Sequence, residues 1–338
     1  MCSLLSPFVS VVMSVYDGEK YLREAVDSIL AQTFSDFEFI IIDDGSTDDT
    51  YHILEGYKDE RIKLIKNSQN YGLAWSLNRG ISLASGEYIA RMDCDDISYP
   101  ERFMAQVEFM DRHGDIDVVG SWIEYIDTDG RLTGKIWKCM GSVMGLRWLT
   151  FFNTPMPHPA VMARRRFFDL AGQYNAAFKV GQDYELWVRS NTVFRFSNIQ
   201  RVLLKYRVHG ANYSKNRVAS PELDPLWGIS PKYVSIFLKK EITPEIIQLI
   251  ITPQKTRSLT LYCQSIDTLH AMYIKFRKEY FLQPQEIVDI NLDFANRISQ
   301  ITYKNPHIPF SWLLRPYAVV IVILTLIFSF LKNRPATD

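Results

Sequence analysis

Cysteine is scarce in this chain: four in 338 residues, Cys2, Cys94, Cys139 and Cys263. No two form a C-x-x-C pair, and no histidine stands at metal-ligand spacing from them. That argues against a zinc site or a disulfide framework and points to a reduced, cytosol-facing protein. An excess of either charge is missing too. Lysine plus arginine number 38 and aspartate plus glutamate 38, so no net field draws nucleic acid. No helix-turn-helix or zinc-finger spacing occurs, and nucleic acid is not an expected partner. Met1 to Ser6 has no basic residue, so no signal peptide is expected before the apolar run Phe8 to Val15. Repeats and low-complexity stretches are absent.

What is present is an ordinary globular composition, 47% hydrophobic and 22% charged, long enough for one large domain or two smaller ones. Two carboxylate clusters stand where apolar runs stop. Phe37 to Ile42 ends in Asp43-Asp44-Gly45-Ser46, and Tyr88 to Met92 ends in Asp93-Cys94-Asp95-Asp96. Short apolar runs closed by turn formers read as buried strands of a parallel sheet. Ligands of open α/β sheets sit beyond the carboxyl ends of the strands. Acids at two such ends would face one crevice, as holding a nucleotide and a divalent metal requires.

The pattern between these runs supports that layout. Leu22, Ala25, Val26, Ile29 and Leu30 share one helical face. A helix over Asp49 to Tyr57, a strand over Arg61 to Ile65 and a helix over Leu73 to Leu83 follow. Strands alternating with helices through about 95 residues predict a doubly wound, mainly parallel sheet. Pro100 starts a helix through Met110. Val118 to Ile126 and Arg131 to Trp137 read as a hairpin. A helix near Ser142 to Phe151, a Pro-rich loop over Thr154 to Pro159, a helix over Tyr184 to Ser190 and a strand over Arg201 to Val208 complete this part. Asp224 to Asn305 is mainly helical.

Mg²⁺ and Mn²⁺ favour hard oxygen ligands and usually bind through one or two carboxylates plus substrate phosphates. Asp93 and Asp95, two apart on a turning loop, suit that role; acidic residues capping a helix are the alternative. Tyr16, ending the first strand, offers a face for stacking on a base. Asp44, ending the second, offers an acceptor for the imide N–H of uracil.

These residues sit in a longer set of motifs. Val9 to Asp17, Ser28 to Phe34, Ile41 to Asp48, Asn70 to Leu73, Ser85 to Asp96 and Pro100 to Phe103 occur in order. His158 to Met162, Gly181 to Trp187 and Tyr206 to His209 follow. Over residues 8 to 214 the chain resembles the inverting family 2 glycosyltransferases of the GT-A fold, of the kind that build bacterial surface polysaccharides.

The resemblance implies roles position by position. Tyr16, Asp17 and Asp44 fall where the family grips base and ribose, with Asp43 beside them and Asp93 also at the nucleotide. Asp93 and Asp95 are its D-x-D, Asp95 being the direct ligand of Mn²⁺ or Mg²⁺. Asp183 matches the general base on the acceptor hydroxyl; an N-cap of the following helix is the alternative. The family more often has Glu-Asp where this chain has Gln182-Asp183. Arg207 and His209 are candidate diphosphate contacts, and His158 a candidate contact of the acceptor pocket. Arg164-Arg165-Arg166 reads as a solvated face or, alternatively, a contact for anionic lipid.

The implied organisation has residues 1–98 binding the nucleotide sugar and 99–215 forming the acceptor half. Residues 216–305 form a helical region, and 306–338 a membrane-associating tail. From Trp312 to Leu331 the sole charge is Arg315, and Lys332 and Arg334 follow. Counted from Trp312, the run just reaches the roughly 20 residues needed to cross a bilayer core. A buried terminal helix is the alternative, and spanning versus surface attachment stays open. The expected reaction is metal-dependent, inverting transfer from a nucleotide diphosphate sugar, UDP-linked, to a hydroxyl of a lipid-linked or surface glycan at the cytosolic membrane face. Two other readings fit less well. A nucleotidyltransferase would want a Gly-rich loop where Tyr16-Asp17-Gly18-Glu19 has one glycine. A processive synthase would want Q-x-x-R-W, and Met144 precedes Arg147-Trp148 at the glutamine position. A non-catalytic sugar-nucleotide binder is the remaining alternative.

Overall fold

The computed structural model describes residues 6–210 and 225–306. Val9, Val11, Met13 and Val15 enter one hydrophobic core, and Val12 enters a second on the opposite face. A strand whose two faces are both covered needs helices on each side, and that is how a parallel sheet is buried. β1 (Val9–Val15) and β2 (Phe37–Asp43) are buried along their whole length. α1 (Leu22–Leu30) lays Leu22, Ala25, Val26 and Ile29 on the first core. α2 (Thr50–Glu55), β3 (Ile62–Lys66), α3 (Leu73–Leu83) and β4 (Tyr88–Asp93) complete the alternation. α3 covers the second core closely: a Cβ on Gly80 would come within 2.5 Å of Val12 Cγ1.

The chain continues through β5 (Ile97–Ser98), α4 (Arg102–Arg112), β6 (Val118–Ile126), β7 (Leu132–Trp137) and α5 (Val143–Leu149). After a 3-10 turn at His158–Ala160 come β8 (Met162–Arg164), α6 (Arg165–Ala171), α7 (Gln182–Ser190) and β9 (Phe196–Arg207). The strands form one sheet in the order β3-β2-β1-β4-β8-β6-β9-β5, with β7 paired to β6 off that path. β3, β2, β1 and β4 run parallel, as does the long β6–β9 ladder. The shorter β4–β8, β6–β8, β6–β7 and β5–β9 pairings are antiparallel. This is the GT-A arrangement, mainly parallel by paired length.

Three short elements, β5, β8 and α6, escape the sequence pattern. The two or three residues of β5 and β8 cannot show a period, and tertiary pairing decides them; α6 spans only two turns. The arginine run is a solvated face only at Arg166; Arg164 and Arg165 are half-buried. Arg164 donates to the carbonyls of Ile116 and Met110, Arg165 to those of Ala84 and Gly86, and Arg166 to Asp117. Those guanidinium groups satisfy carbonyls at loop ends around β8, which leaves little of the run to meet lipid. Arg102, fully buried on α4, likewise donates to the Arg91 and Val161 carbonyls and fixes β4 against the 3-10 turn.

Two compact units result. The first comprises residues 1–150 and 154–225, the second 151–153 and 226–338. The second contains α8 (Pro225–Leu238), α9 (Pro244–Ile251), α10 (Leu259–Glu279) and α11 (Pro284–Lys304). Ser258 caps α10, and Gln283 with Glu286 forms a capping box at α11. Among the described residues no helix is long and apolar enough to cross a membrane. The apolar run Trp312 to Leu331 lies outside the described residues.

Glu38, 4% exposed on β2, accepts bonds from Ser10 Oγ, Ser85 Oγ and Ser85 N, each 2.6 Å long, and pairs with Lys63. Burial alone would raise its carboxyl, but Lys63 and the serine donors outweigh it and hold it at about 2, below the ordinary 4.5. A depressed folded value stabilises fully above pH 4.5 and loses that contribution as pH falls toward 2. Glu38→Gln is therefore expected to lower stability by about 2 kcal/mol near neutrality, since an amide offers one acceptor and no charge. Denaturant melts should show the gap between variant and parent closing between pH 4.5 and 2. A constant gap would assign the loss to packing.

Candidate active site

Register places the acids. Val15 is level with Asp43 across β1–β2, and Ser14 with Asp93 across β1–β4. Asp43 and Asp93 thus flank β1 at its carboxyl end, about 10 Å apart by two strand spacings. Tyr16, Asp44 and Cys94 follow one residue on. The two clusters share one edge of the sheet.

Loops after β1 and β2 are laced together there. Asp17, at φ 48°, donates its N–H to Ser46 Oγ and accepts from Thr47 N at 2.8 Å. Gly18 N–H donates to Thr50 Oγ1, Glu19 N–H to Asp48 Oδ2, and Asp49 N–H to Glu19 Oε2. Gly45 must be glycine: its φ is 76°, and a Cβ would lie 2.6 Å from the Gln69 carbonyl carbon. That close approach brings the loop after β3 onto Asp44. Asp44, 2% exposed, accepts from Asn67 Nδ2, Tyr71 N and Gly72 N. Three of its roughly four lone-pair positions are thereby taken, leaving one for a ligand. Asp43 Oδ1 accepts from Ser46 N, while its buried Oδ2 has no partner. Tyr16 is 46% exposed, with a ring face open to solvent.

Asp93, Asp95 and Asp96 have oxygens within 4.8 Å of one another. Asp93 pairs with Arg91, Asp95 Oδ2 lies 2.8 Å from His209 Nε2, and Asp96 Oδ1 accepts the Arg207 N–H. Burial first, then the charge of Asp93, raises the Asp95 carboxyl. Burial, then Asp95 and Asp93, raises Asp96 well above the ordinary range. Asp96 Oδ2 is buried without a partner. Three hard oxygen donors crowded at a cost, one unsatisfied, fit a divalent ion of the Mg²⁺ or Mn²⁺ type.

β5 pairs antiparallel with β9, which carries Arg207 and His209 to the acid loop. Arg207, a candidate diphosphate contact, ends β9. It is fully buried, donating to the Asp95 carbonyl and to Glu24 Oε2, each at 2.9 Å, and to the Asp127 and Thr128 carbonyls. It supports the acid loop from behind. His158 is buried with Nε2 2.7 Å from the Tyr174 hydroxyl, and burial, then Arg91, push its pKa well below the ordinary value. It is therefore neutral at pH 7.

Helix α7 (Gln182–Ser190) starts two residues earlier than the pattern suggests. Gly181, in the left-handed region at φ 71°, occupies the N-cap, so Asp183 sits inside the first turn and does not cap. Tyr174 is buried with its hydroxyl against His158. Burial raises that phenol, Arg91 opposes, and the charges of Asp183 and Asp93 raise it further.

Arg91, Tyr174 and Glu24 were not singled out by sequence, and Asp96 was named in the acid run without a role. Arg91 left a signal, a cation inside an otherwise apolar strand run. It is 6% exposed, and its Nε and Nη1 lack partners.

Comparison with known proteins bears on the family and the fold. The family model described as "Glycosyl transferase family 2" matches residues 10–171. An uncharacterized glycosyltransferase of Methanocaldococcus jannaschii, MJ1057, is 34% identical over 222 residues, covering 64% of this chain and 76% of that protein. Among solved structures, S. aureus TarS 1-349 in complex with UDP-GlcNAc aligns with a TM-score of 0.58 at 17% identity, covering 88% of this chain and 91% of TarS 1-349. The mannosyltransferase PcManGT from Pyrobaculum calidifontis, in complex with GDP-Man and Mn²⁺, aligns at 0.53 and 15% identity, covering 96% and 88%. The structural likenesses establish the fold; the sequence likeness across three quarters of a relative goes further, and with it this chain belongs to glycosyltransferase family 2.

Proposed function

We propose that the protein is a metal-dependent inverting glycosyltransferase that moves a sugar from a UDP-linked donor to a hydroxyl of a lipid-linked or surface glycan. The observation that carries this reading is the convergence of Asp43, Asp44, Asp93 and Asp95 on one sheet edge. In it, residues 1–98 bind the donor and 99–215 the acceptor. Residues 216–305 form the helical region, and 306–338 attach the enzyme to the cytosolic face of the membrane.

Tyr16 stacks on the base, Asp44 accepts the imide N–H through its remaining lone pair, and Asp17, Asp43 and Asp93 border the ribose. Asp93 and Asp95, with Asp96 beside them, would hold Mn²⁺ or Mg²⁺, which supplies charge neutralisation for the departing diphosphate. Inversion requires a base on the face opposite the leaving group, so that the acceptor oxygen attacks in line. Asp183 takes the hydroxyl proton as the new bond forms and the bond to the diphosphate oxygen breaks. His209 orients Asp95, Arg207 braces its loop, and the neutral His158 shapes the acceptor wall through Tyr174.

The test is a screen of activated sugars scored by nucleotide release, with and without EDTA. UDP-sugars should turn over, and chelator should lower turnover at least about 100-fold, consistent with removal of several kcal/mol of charge stabilisation. Equal turnover in chelator would reject the metal. Transfer only to soluble protein or small-molecule acceptors would reject the glycan acceptor.

A further inference from the structure

The second unit has a basic and aromatic end. Asn305, just past α11, accepts the Thr256 N–H through Oδ1 at 2.8 Å and donates through Nδ2 to the Gln254 carbonyl. The Tyr262 hydroxyl lies 3.3 Å from Thr302 Oγ1. These bonds bring the loop before α10 against the last turn of α11. Lys255, Arg257 and Lys304 are exposed there, together with Leu259 (46%) and Tyr303 (80%). No acid occurs between Glu245 and Asp267, nor from Phe294 to Pro306. In a chain with equal numbers of acids and bases, this end is locally all positive.

We infer that this end of the helical unit docks on an anionic lipid surface, with Lys255, Arg257 and Lys304 meeting headgroups and Leu259 and Tyr303 entering the interface. Charge complementarity is one ground: a cation near an anionic leaflet gains attraction that falls off within a Debye length. An exposed tyrosine and leucine beside the cations suit the headgroup layer, where a ring with a polar tip is favoured. The sequence beyond is the other ground. Trp312, which opens the apolar run, is eight residues after Lys304, a reach of at most about 28 Å in any conformation. A bilayer holding that run keeps this end near its surface. The opposite end of α10, about 30 Å away along a 21-residue helix, carries Lys278 and Arg277 beside Glu279 and is not all positive.

The inference rests on the membrane attachment proposed for residues 306–338. Its test uses the full chain with phosphatidylcholine vesicles, with and without phosphatidylglycerol. Co-sedimentation over a salt series and amide hydrogen exchange over residues 253–262 and 300–306 are the readouts. Binding should be tighter and those amides slower to exchange on anionic vesicles alone. The double variant Arg257→Gln, Lys304→Gln should weaken the anionic component about 30-fold and remove the protection. Arg277→Gln, Lys278→Gln, removing as many charges elsewhere, should leave both unchanged. Equal effects of the two pairs would overturn the docking face in favour of general charge. Equal binding to both lipids without protection would overturn the docking but keep the attachment; no binding to either would overturn both.

Discussion

Asp183→Asn is expected to abolish sugar transfer while leaving the donor bound. The substitution keeps the side chain's size and removes only its ability to take a proton. A positioned general base contributes about 10²–10⁴-fold, so kcat should fall about 10³-fold, or about 4 kcal/mol of barrier. Donor affinity should stay within about 3-fold, because the proposed function puts this residue, in the first turn of α7, on the acceptor and not on the nucleotide. Parallel titration of UDP-sugar binding and single-turnover transfer separates the two. Unchanged turnover would remove Asp183 from the mechanism, and matched losses of binding and turnover would move it to the donor. The position inside the helix turn, with Gly181 as the cap, means the variant should lose no capping bond.

Asp95→Ala should show the reverse split, a large loss of binding with little loss of fold. Asp95 is held against Asp93 and Asp96, with oxygens within 4.8 Å, and burial raises its carboxyl further. Without a cation that crowding costs stability, so removing one carboxylate relieves repulsion. The variant also leaves His209 without its carboxylate partner, a loss of about 1 kcal/mol that offsets the gain. The melting temperature should therefore move by only a few degrees. Donor affinity in Mn²⁺ or Mg²⁺ should fall about 100-fold, since a charge-bearing ligand of the ion is gone. In EDTA, parent and variant should bind the donor alike. Melting that falls while affinity holds would make the acid structural.

The parallel half of the fold was legible because β1, β2 and β4 are mainly apolar runs of six or seven residues ended by turn formers. The bounds of α3 agree with the pattern from Leu73 to Leu83. In the second half the β6–β7 hairpin was legible as well, but the short strands were not, because they are defined by partners far away in sequence. β8 exists through Tyr88↔Arg164 and Val118↔Ala163, pairings that no local period announces. The same cause misplaced Arg207. A residue at the end of a strand looks exposed in sequence, and only the pairing of Ile97 with Lys205 folds it under the acid loop. The acids themselves were readable because two of the strand ends carrying them flank a shared neighbour, β1. Arg91 was readable too, as a single cation inside an apolar run.

Asp17, Ser46, Thr47, Glu19, Asp48 and Thr50 stitch the first two strand-end loops into one rim before any donor arrives. A rim assembled during folding has little conformational freedom left to surrender on association. Donor capture should then be governed by how fast the two molecules meet and by desolvation of the diphosphate, with loop rearrangement contributing little to the rate.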